Sequence, residues 1–181
     1  MKNLLLIIAI FLLGRNVYAQ IDSINMPIDD MTNMITYKEV VQEKGTQDEL
    51  FNRCVYWLNE FYANPVAVSK VRDHATGVIK GEHQIRVFYT DSEGFKKEGG
   101  MVQYDFVIEL KEDRYRYTVD NFLLRVGSRY PIENWLNKDD PKYDNRWPVY
   151  LKQIDDYFRN EWIPALKAKM KPEEEIKKEE W

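Results

Sequence analysis

The sequence is poor in the side chains that build metal and redox sites. It has one cysteine, Cys54, so no intramolecular disulfide can form. Its two histidines, His74 and His83, lie nine positions apart, with no cysteine or acidic partner at ligand spacing on a shared element. The sequence therefore predicts no metal site and no cofactor, and the core alone must hold the domain together.

Motifs that mark catalytic centres are also missing. The chain has no glycine-rich phosphate loop and no Gly-x-Ser-x-Gly nucleophile elbow. Its Asp-Asp pairs, at 29–30, 139–140 and 155–156, are adjacent in sequence, and adjacent carboxylates seldom converge on one substrate. Cys54 falls on the apolar stripe of a predicted helix, which indicates a small buried side chain instead of a nucleophile. We therefore expect no enzyme activity.

The chain lacks an apolar run long enough to span a bilayer. Residues 4–13 are apolar throughout, roughly half the length of a membrane-spanning helix, and Lys2 precedes them. Val17 and Ala19 stand at the positions that signal peptidase reads, which predicts a signal peptide over 1–19 and cleavage between Ala19 and Gln20. No cysteine follows for lipid attachment, so we expect a periplasmic or secreted protein without stable membrane insertion.

Positive charge is in short supply in the mature chain. Removal of residues 1–19 takes away Lys2 and Arg15 and leaves 24 basic against 30 acidic side chains, a net charge near −6. A surface of this sign repels nucleic acid and anionic lipid, so no nucleic-acid partner is expected. The remaining 162 residues suit a single domain.

Aromatic residues are plentiful, at 14% of the chain, and they occur in regular patterns. Residues 20–34 are predicted to form an extended arm, and residues 35–41 a first strand. Thr46 and Glu49 form a capping box, which predicts a helix to about Tyr62 with one apolar stripe. Residues 66–71 are expected to form a short connection between this helix and the next strand.

The second half of the chain is dominated by strand patterns. Residues 77–89 predict a strand with a bulge or bend at Gly81, and residues 91–100 predict a turn-rich segment. Every second residue from Val102 to Leu110 is apolar without a miss, whereas Gln103 and two acidic residues face the other way and are expected to be wet. Residues 114–126 predict a returning strand whose phase slips at Asn121, which indicates a bulge.

The C-terminal part is predicted to contain a loop, a helix and a tail. Residues 127–146 carry two prolines and several Asp and Asn, which is typical of a long surface loop. Helical spacing begins at Trp147, with a kink expected at Pro164. Residues 172–181 are expected to be a charged tail, which bounds a single α+β domain at residues 35–171.

The order of elements favours an α+β fold in which two helices, one in the N-terminal half and one long and C-terminal, cover one face of a curved antiparallel sheet. Several blocks resemble a bacterial exported domain of unknown function described as having a TATA-binding-protein-like (TBP-like) fold, related to helix-grip folds. They are ITYKEVV at 35–41, ELFNR at 49–53, Trp57, Asn64 with Pro65, GVIKG at 77–81 and IELKEDRYRY at 108–117. The resemblance covers residues 35–126 and implies a fold but no catalytic residues, and DNA binding does not follow from the name of the fold.

Three functions of different classes are compatible with these patterns. The first is a binding or interaction module of the cell envelope, whose partner is an unidentified protein or glycan. Its candidate contact residues are the aromatics in or beside the predicted loop: Tyr130, Trp135, Tyr143 and Trp147. The alternative is that these rings fold back and cover the edge of the sheet. The second is a carrier with a cavity for a small hydrophobic ligand between the sheet and the C-terminal helix, and the third is an enzyme. Bulky core side chains favour a filled core, and hence the first function.

Overall fold

The computed structural model describes residues 24–126 and 128–172. The predicted signal peptide, its cleavage position at Ala19 and Gln20, and residues 173–181 of the predicted tail lie outside this range. Within the described residues, no helix is long and apolar enough to cross a membrane.

One antiparallel sheet contains all the strands of the described chain, in the order β1-β5-β4-β3-β2, with β6 added to the end of β5. The hydrogen-bonded neighbours β3, β4 and β5 are long and form the middle of the sheet, whereas β1, β2 and β6 are short. The bounds are β1 Tyr37–Gln42, β2 Ser69–Asp73, β3 Val78–Thr90, β4 Lys96–Lys111, β5 Arg114–Val126 and β6 Ser128–Pro131.

Helices cover one face of this sheet, called here the inner face. The first helix, α1, spans Gln47–Phe61, and a single turn, α2, spans Pro65–Val68. A 3₁₀ helix, Ile132–Leu136, precedes the long C-terminal helix, which consists of α3 (Trp147–Tyr157), a π-helical turn (Phe158–Trp162) and α4 (Ile163–Met170). This architecture confirms the predicted α+β class with two main helices on one face.

The first helix forms as its sequence predicts. The Thr46 hydroxyl accepts from the Glu49 amide at 3.2 Å, and the Glu49 carboxylate accepts from the Thr46 amide at 2.8 Å, so two orphan N–H groups are satisfied. The stripe behind the cap is buried, including Cys54 and Trp57. The Trp57 ring centroid lies 6.4 Å from that of Phe106 on β4, so the stripe rests on the inner face of the sheet.

Strand β4 confirms the alternation that its sequence shows. The five apolar residues at alternate positions face inward and are buried: Val102, Tyr104, Phe106, Ile108 and Leu110. Gly81 on β3 makes room for one of them, because a Cβ at this position would stand 2.2 Å from the Phe106 ring. The bulge expected at Gly81 is in the partner strand instead, where Lys70 is the extra residue of β2.

The phase slip in β5 is a true bulge. The pairing of β5 with β4 shifts between Asp105 and Gln103, and Asn121 adopts a positive φ of 53°. The side-chain amide of Asn121 donates to the Asp105 carboxylate at 2.6 Å, which links the bulge to β4. The slip lets Phe122 point inward after Val119, and both side chains are buried.

Two predicted connections, residues 66–71 and 91–100, contain more regular structure than expected. Residues 66–71 contribute to α2 and to β2, which the sequence patterns did not predict. The turn after β3 is confined to residues 91–95, where the Asp91 amide donates to the Phe95 carbonyl at 2.9 Å. Gly99 and Gly100 belong to β4 because Gly99 lies against the Tyr150 ring of α3, where a Cβ would stand 2.4 Å from Cζ.

The predicted arm folds back onto the domain over the part that the structure describes. Met26 is buried, and Ile28 forms a bridge with Ile35. The Thr36 amide donates to the Pro27 carbonyl at 2.8 Å. The turn at residues 29–33 thus returns the chain to β1, so residues 24–34 are not the extended arm that was expected.

The helix expected from Trp147 onward changes its winding before Pro164. Because Pro164 lacks an N–H, the preceding turn has one donor fewer, and the Ile163 amide bonds the carbonyl of Phe158 five residues back. The predicted disturbance at Pro164 therefore takes the form of a π turn, after which Leu166 and Met170 are again buried.

Burial of Cys54 leads to a reactivity prediction. Because burial raises the pKa of its thiol and closes access to it, we expect native modification by a disulfide reagent at least ~100-fold slower than in guanidinium chloride. The measurement is thiol release monitored by absorbance. A Val66→Cys variant is the control, because Val66 is 78% exposed and its replacement should add one fast-reacting thiol. Equal rates for the native and unfolded chains would contradict the packing of α1.

Candidate functional site

The four aromatics predicted as partner contacts form a packed cluster. Trp147 lies at its centre, with its ring centroid 6.1 Å from Trp135, 5.4 Å from Tyr143 and 6.3 Å from Tyr130. Trp135 is 1% exposed and Trp147 9%, whereas the two tyrosines are partly buried. The expectation of exposed rings on a long loop is therefore wrong for both tryptophans, because β6 and the 3₁₀ helix fold this segment against α3.

The polar groups under the helices also form a closed network. The Trp162 indole donates to the Tyr62 hydroxyl at 2.7 Å, and the hydroxyls of Tyr62 and Tyr104 are 3.2 Å apart. Tyr157 extends the chain of hydroxyls, 3.4 Å from Tyr104. Burial raises the pKa of all three phenols, that of Tyr157 to about 12, so they stay neutral at physiological pH. This network links both main helices to the sheet, and its members Tyr62, Tyr104 and Trp162 are buried, whereas Tyr157 at its end is partly buried.

The opposite face of the sheet, called here the outer face, carries charged residues in cross-strand register. Glu82 on β3 pairs with Asp105 on β4, which pairs with Asp120 on β5. Like charges opposite one another in a sheet are destabilising. Asn121 bonds Asp105, but Asp120 has no cationic partner among the described residues. Burial, Asp105 and Glu133 raise the pKa of Asp120 above its usual value.

Beside this carboxylate row, the outer face buries one amide. Gln103 is 3% exposed, although the alternation of β4 predicted a wet position. The Arg125 side chain explains this burial, because its Nη1 donates to Gln103 Oε1 at 2.6 Å. A guanidinium can only donate hydrogen bonds, so the Gln103 side-chain atom that faces Arg125 is the amide oxygen. The Gln103 Nε2 donor then has no acceptor among the described residues.

A cleft of about 360 Å³ opens next to Gln103, along the edge of β3. It combines an apolar wall from α2 with hydrogen-bonding groups of the sheet. Its polar lining residues are Asn64, Lys70, Glu82, His83, Gln84, Gln103 and Arg125. Donors therefore outnumber carboxylates, since Lys70 and Arg125 are cationic and Glu82 is the one acid among these residues.

His83 brings an imidazole to the same cleft. Its ring centroid lies 4.9 Å from that of Tyr62, and its Nδ1 is buried without a partner among the described residues. Burial lowers the pKa of His83, so the ring is neutral at physiological pH. No three His, Cys, Asp or Glu side chains within the described ranges come together as metal ligands.

Other clefts at the surface of the described residues include two that differ in character from the first. One of about 200 Å³ is next to Glu109 and Arg116 on the outer face, and one of about 490 Å³ lies between α1 and α4 beside Tyr56 and Lys169. Neither is lined by a buried amide or a buried charged side chain. The cleft beside Gln103 is therefore the strongest candidate site in the described chain.

Sequence patterns did not predict this site because its residues are far apart along the chain. Alternation placed Gln103 and Asp105 away from the core, but only the strand register brings Glu82 and Asp120 alongside them. The usable signal was the slip at Asn121, which marks where β5 shifts against β4.

The comparisons with known proteins agree with this fold. Residues 37–124 match the family described as a domain of unknown function (DUF4468) with TBP-like fold, which confirms the resemblance seen in the sequence blocks. The chain is similar to a TBP-like protein from Parabacteroides distasonis, with a TM-score of 0.63 and 15% identity, over 80% of this chain and 96% of that chain. It is also similar to a DUF4468 family protein from Bacteroides ovatus, with a TM-score of 0.61 and 16% identity, over 80% of this chain and 90% of that chain. At these identities the crystal structures show a shared fold alone. No curated protein matches the sequence.

The raised pKa of Asp120 makes a stability prediction. The pKa of Asp120 is higher in the folded than in the unfolded chain, so ionisation of this carboxyl lowers the free energy of unfolding. The destabilisation is present at neutral pH. It disappears as the pH falls through the folded-state pKa. Asp120→Asn should therefore raise the free energy of unfolding at pH 7 by up to ~1 kcal/mol, after allowance for solvent screening. Denaturant unfolding at pH 7 and pH 4 measures the effect.

The gain should shrink at pH 4, and the exposed control Glu93→Gln should change stability little at either pH. A loss of stability at pH 7, or an equal gain at both pH values, would show that Asp120 is not held against its neighbours as an unpaired charge.

Proposed function

We propose that this chain, whose residues 37–124 match the DUF4468 family with its TBP-like fold, is an exported binding module of the bacterial cell envelope. In this proposal, the outer face of the sheet and the adjoining cleft hold a protein or glycan partner. The observation that carries it is the combination of an unpaired, half-buried Asp120 with a buried Gln103 amide beside the cleft. Polar groups kept at a cost to stability are typical of binding surfaces.

Chemical variety at this surface supports recognition by hydrogen bonds. Gln103 offers an N–H donor, Arg125 and Lys70 offer positive charge, and the carboxylate row offers acceptors. A protein backbone or a glycan presents both donors and acceptors, so either can match such a surface. The buried cluster around Trp147 is unsuited to this role, and the proposed contacts therefore move from residues 127–146 to the sheet.

The carrier alternative receives less support. It would need a cavity between the sheet and the C-terminal helix, where the rings of Trp57, Phe106 and Trp162 lie within 5.1 to 6.4 Å of one another.

The proposed role also involves no catalysis, since His83 is the one ionisable ring in the cleft and it packs against Tyr62.

Export is part of the proposal and can be tested on its own. The charged start, short apolar run and Ala19 predict that the protein recovered from the periplasm or medium begins at Gln20. Intact mass spectrometry of the exported protein gives the answer. Retention of residues 1–19 would refute the predicted cleavage.

Binding at the outer face can be tested with envelope extract from a bacterium that encodes the protein. The immobilised chain should retain a specific component, and Asp105→Asn and Arg125→Ala should each lower its retention by at least about tenfold. Quantitative mass spectrometry of the eluates measures retention. Lys152→Ala is the control, because Lys152 pairs with Asp156 on an exposed face of α3.

The control variant should retain the component as the unchanged chain does. Retention that is equal for all variants would place the contact elsewhere and would overturn the proposed use of the outer face. Circular dichroism of each variant separates lost binding from lost fold.

A further inference from the structure

Strand β3 has an open edge. Strand β2 pairs with β3 only from Asp73 and Val78 to Ser69 and Gly81. Beyond Gly81, residues 82–90 have β4 on one side and no strand on the other within the described ranges. This free edge forms one wall of the cleft, next to Gln84.

The backbone direction along this edge follows from a contact at its far end. The Phe88 amide donates to Gln153 Oε1 at 2.9 Å, and Gln153 Nε2 donates to the Phe88 carbonyl at 2.7 Å. Both groups of Phe88 therefore point away from β4. In an antiparallel ladder the N–H and C=O of one residue point the same way and alternate along the strand. The pairing of β3 with β4 is irregular between Val87 and Phe88, but the extra residue there is Gly99 of β4, so the alternation along β3 continues. Gln84 and Arg86 thus share the direction of Phe88.

The Gln153 side chain already acts as a strand would. Its amide supplies one donor and one acceptor to Phe88, as a peptide group of a neighbouring strand does. The backbone groups of Glu82, Gln84 and Arg86 have no such cover among the described residues. They present consecutive unpaired positions of a strand, which is a template for pairing with another chain.

We propose that an extended peptide of the partner adds to this edge as a strand antiparallel to β3 and ends in a free carboxylate near Lys70. This inference rests on the proposed binding function and names the partner class. Strand addition derives its affinity from main-chain hydrogen bonds, here with Gln84 and Arg86.

The end of the peptide follows from the position of β2. An antiparallel strand that runs from Phe88 towards Gly81 meets the start of β2 at Ser69 and must stop there. Lys70 lies beside that stop, and the cleft holds the further cation Arg125 against the single carboxylate Glu82. Lys70 supplies the positive charge for a terminal carboxylate at this end, because the row of Glu82, Asp105 and Asp120 extends from β3 to β5, away from β2.

Pairing of two β3 edges centred on Gln84 is blocked by β2, although it would set Glu82 of each copy against the oppositely charged Arg86 of the other. Residues 87–90 of the second strand would then continue past Gly81 into the position that β2 occupies. A short peptide avoids this clash because it ends.

The test uses a library of hexapeptides with free carboxylates and the same library with amidated ends. Binding is followed by nitrogen-15 NMR of the chain lacking residues 1–19. A free-acid peptide should bind and slow the hydrogen exchange of the Gln84 and Arg86 amides by at least about tenfold. Amidation should weaken its binding by about tenfold or more.

Proline substitution at the edge gives a matched pair of variants. Gln84→Pro removes an N–H that points away from β4, so it should abolish peptide binding and leave the melting temperature within a few degrees. Gln84→Ala keeps that N–H and removes only the side chain, so it should weaken binding far less than Gln84→Pro does. Loss of binding in both variants would assign the contact to the Gln84 side chain and overturn strand addition.

Other occupants give different results, each of which overturns the proposal. Protection of the Gln84 amide without peptide, lost on deletion of residues 173–181, would identify the tail of the chain as the occupant. Protection that depends on protein concentration would identify a second copy. If no peptide protects the edge while Asp105→Asn still lowers envelope retention, this inference fails and the proposed function stands. If neither effect is seen, both fail.

Discussion

The structure depends on the burial of one aromatic face of the sheet under the two main helices. Trp162 lies where these parts meet, with its ring centroid 5.1 Å from Trp57 of α1 and 5.9 Å from both Phe106 and Tyr117 of the sheet. Its indole N–H is satisfied by Tyr62, so this large side chain is buried without an unpaired donor. With no disulfide in the chain, contacts of this kind hold the helices to the sheet.

Because the helices cover the inner face, the outer face and the edge of β3 are the surfaces proposed for recognition. On the inner face the hydroxyls of Tyr62 and Tyr104 are bonded to each other, although Trp57 Nε1 is buried there without a partner among the described residues. On the outer face, Asp120 and the Gln103 Nε2 have no partner within the same ranges. Within a stable domain, polar groups left unsatisfied next to a cleft are where a partner gains most from binding. The shared TBP-like fold supplies the scaffold, and the proposed function rests on these particular side chains.

Local patterns predicted the elements that depend on local physics. The Thr46 capping box, the alternation around Phe106 and the slip at Asn121 each act within a few residues, and each is present as expected. Cys54 was placed correctly because helical spacing fixes which residues share a face. The class of the fold followed from the order of these elements.

Features that depend on distant contacts were missed or misplaced. Strand β2 has a weak pattern of its own and forms because β3 offers it a partner. Trp135 looked like a loop residue because prolines and acidic residues surround it, yet the 3₁₀ helix turns it onto Trp147. The carboxylate row exists only through strand register, which no single segment encodes.

Crystals of the protein under xenon pressure test most directly whether the inner face is filled, because xenon enters apolar cavities that stay dry. A filled inner face predicts no xenon site between the sheet and the two helices, around Trp57, Tyr104 and Trp162. Xenon bound among these rings would reveal an internal cavity, and it would return the function to the carriage of a small hydrophobic ligand.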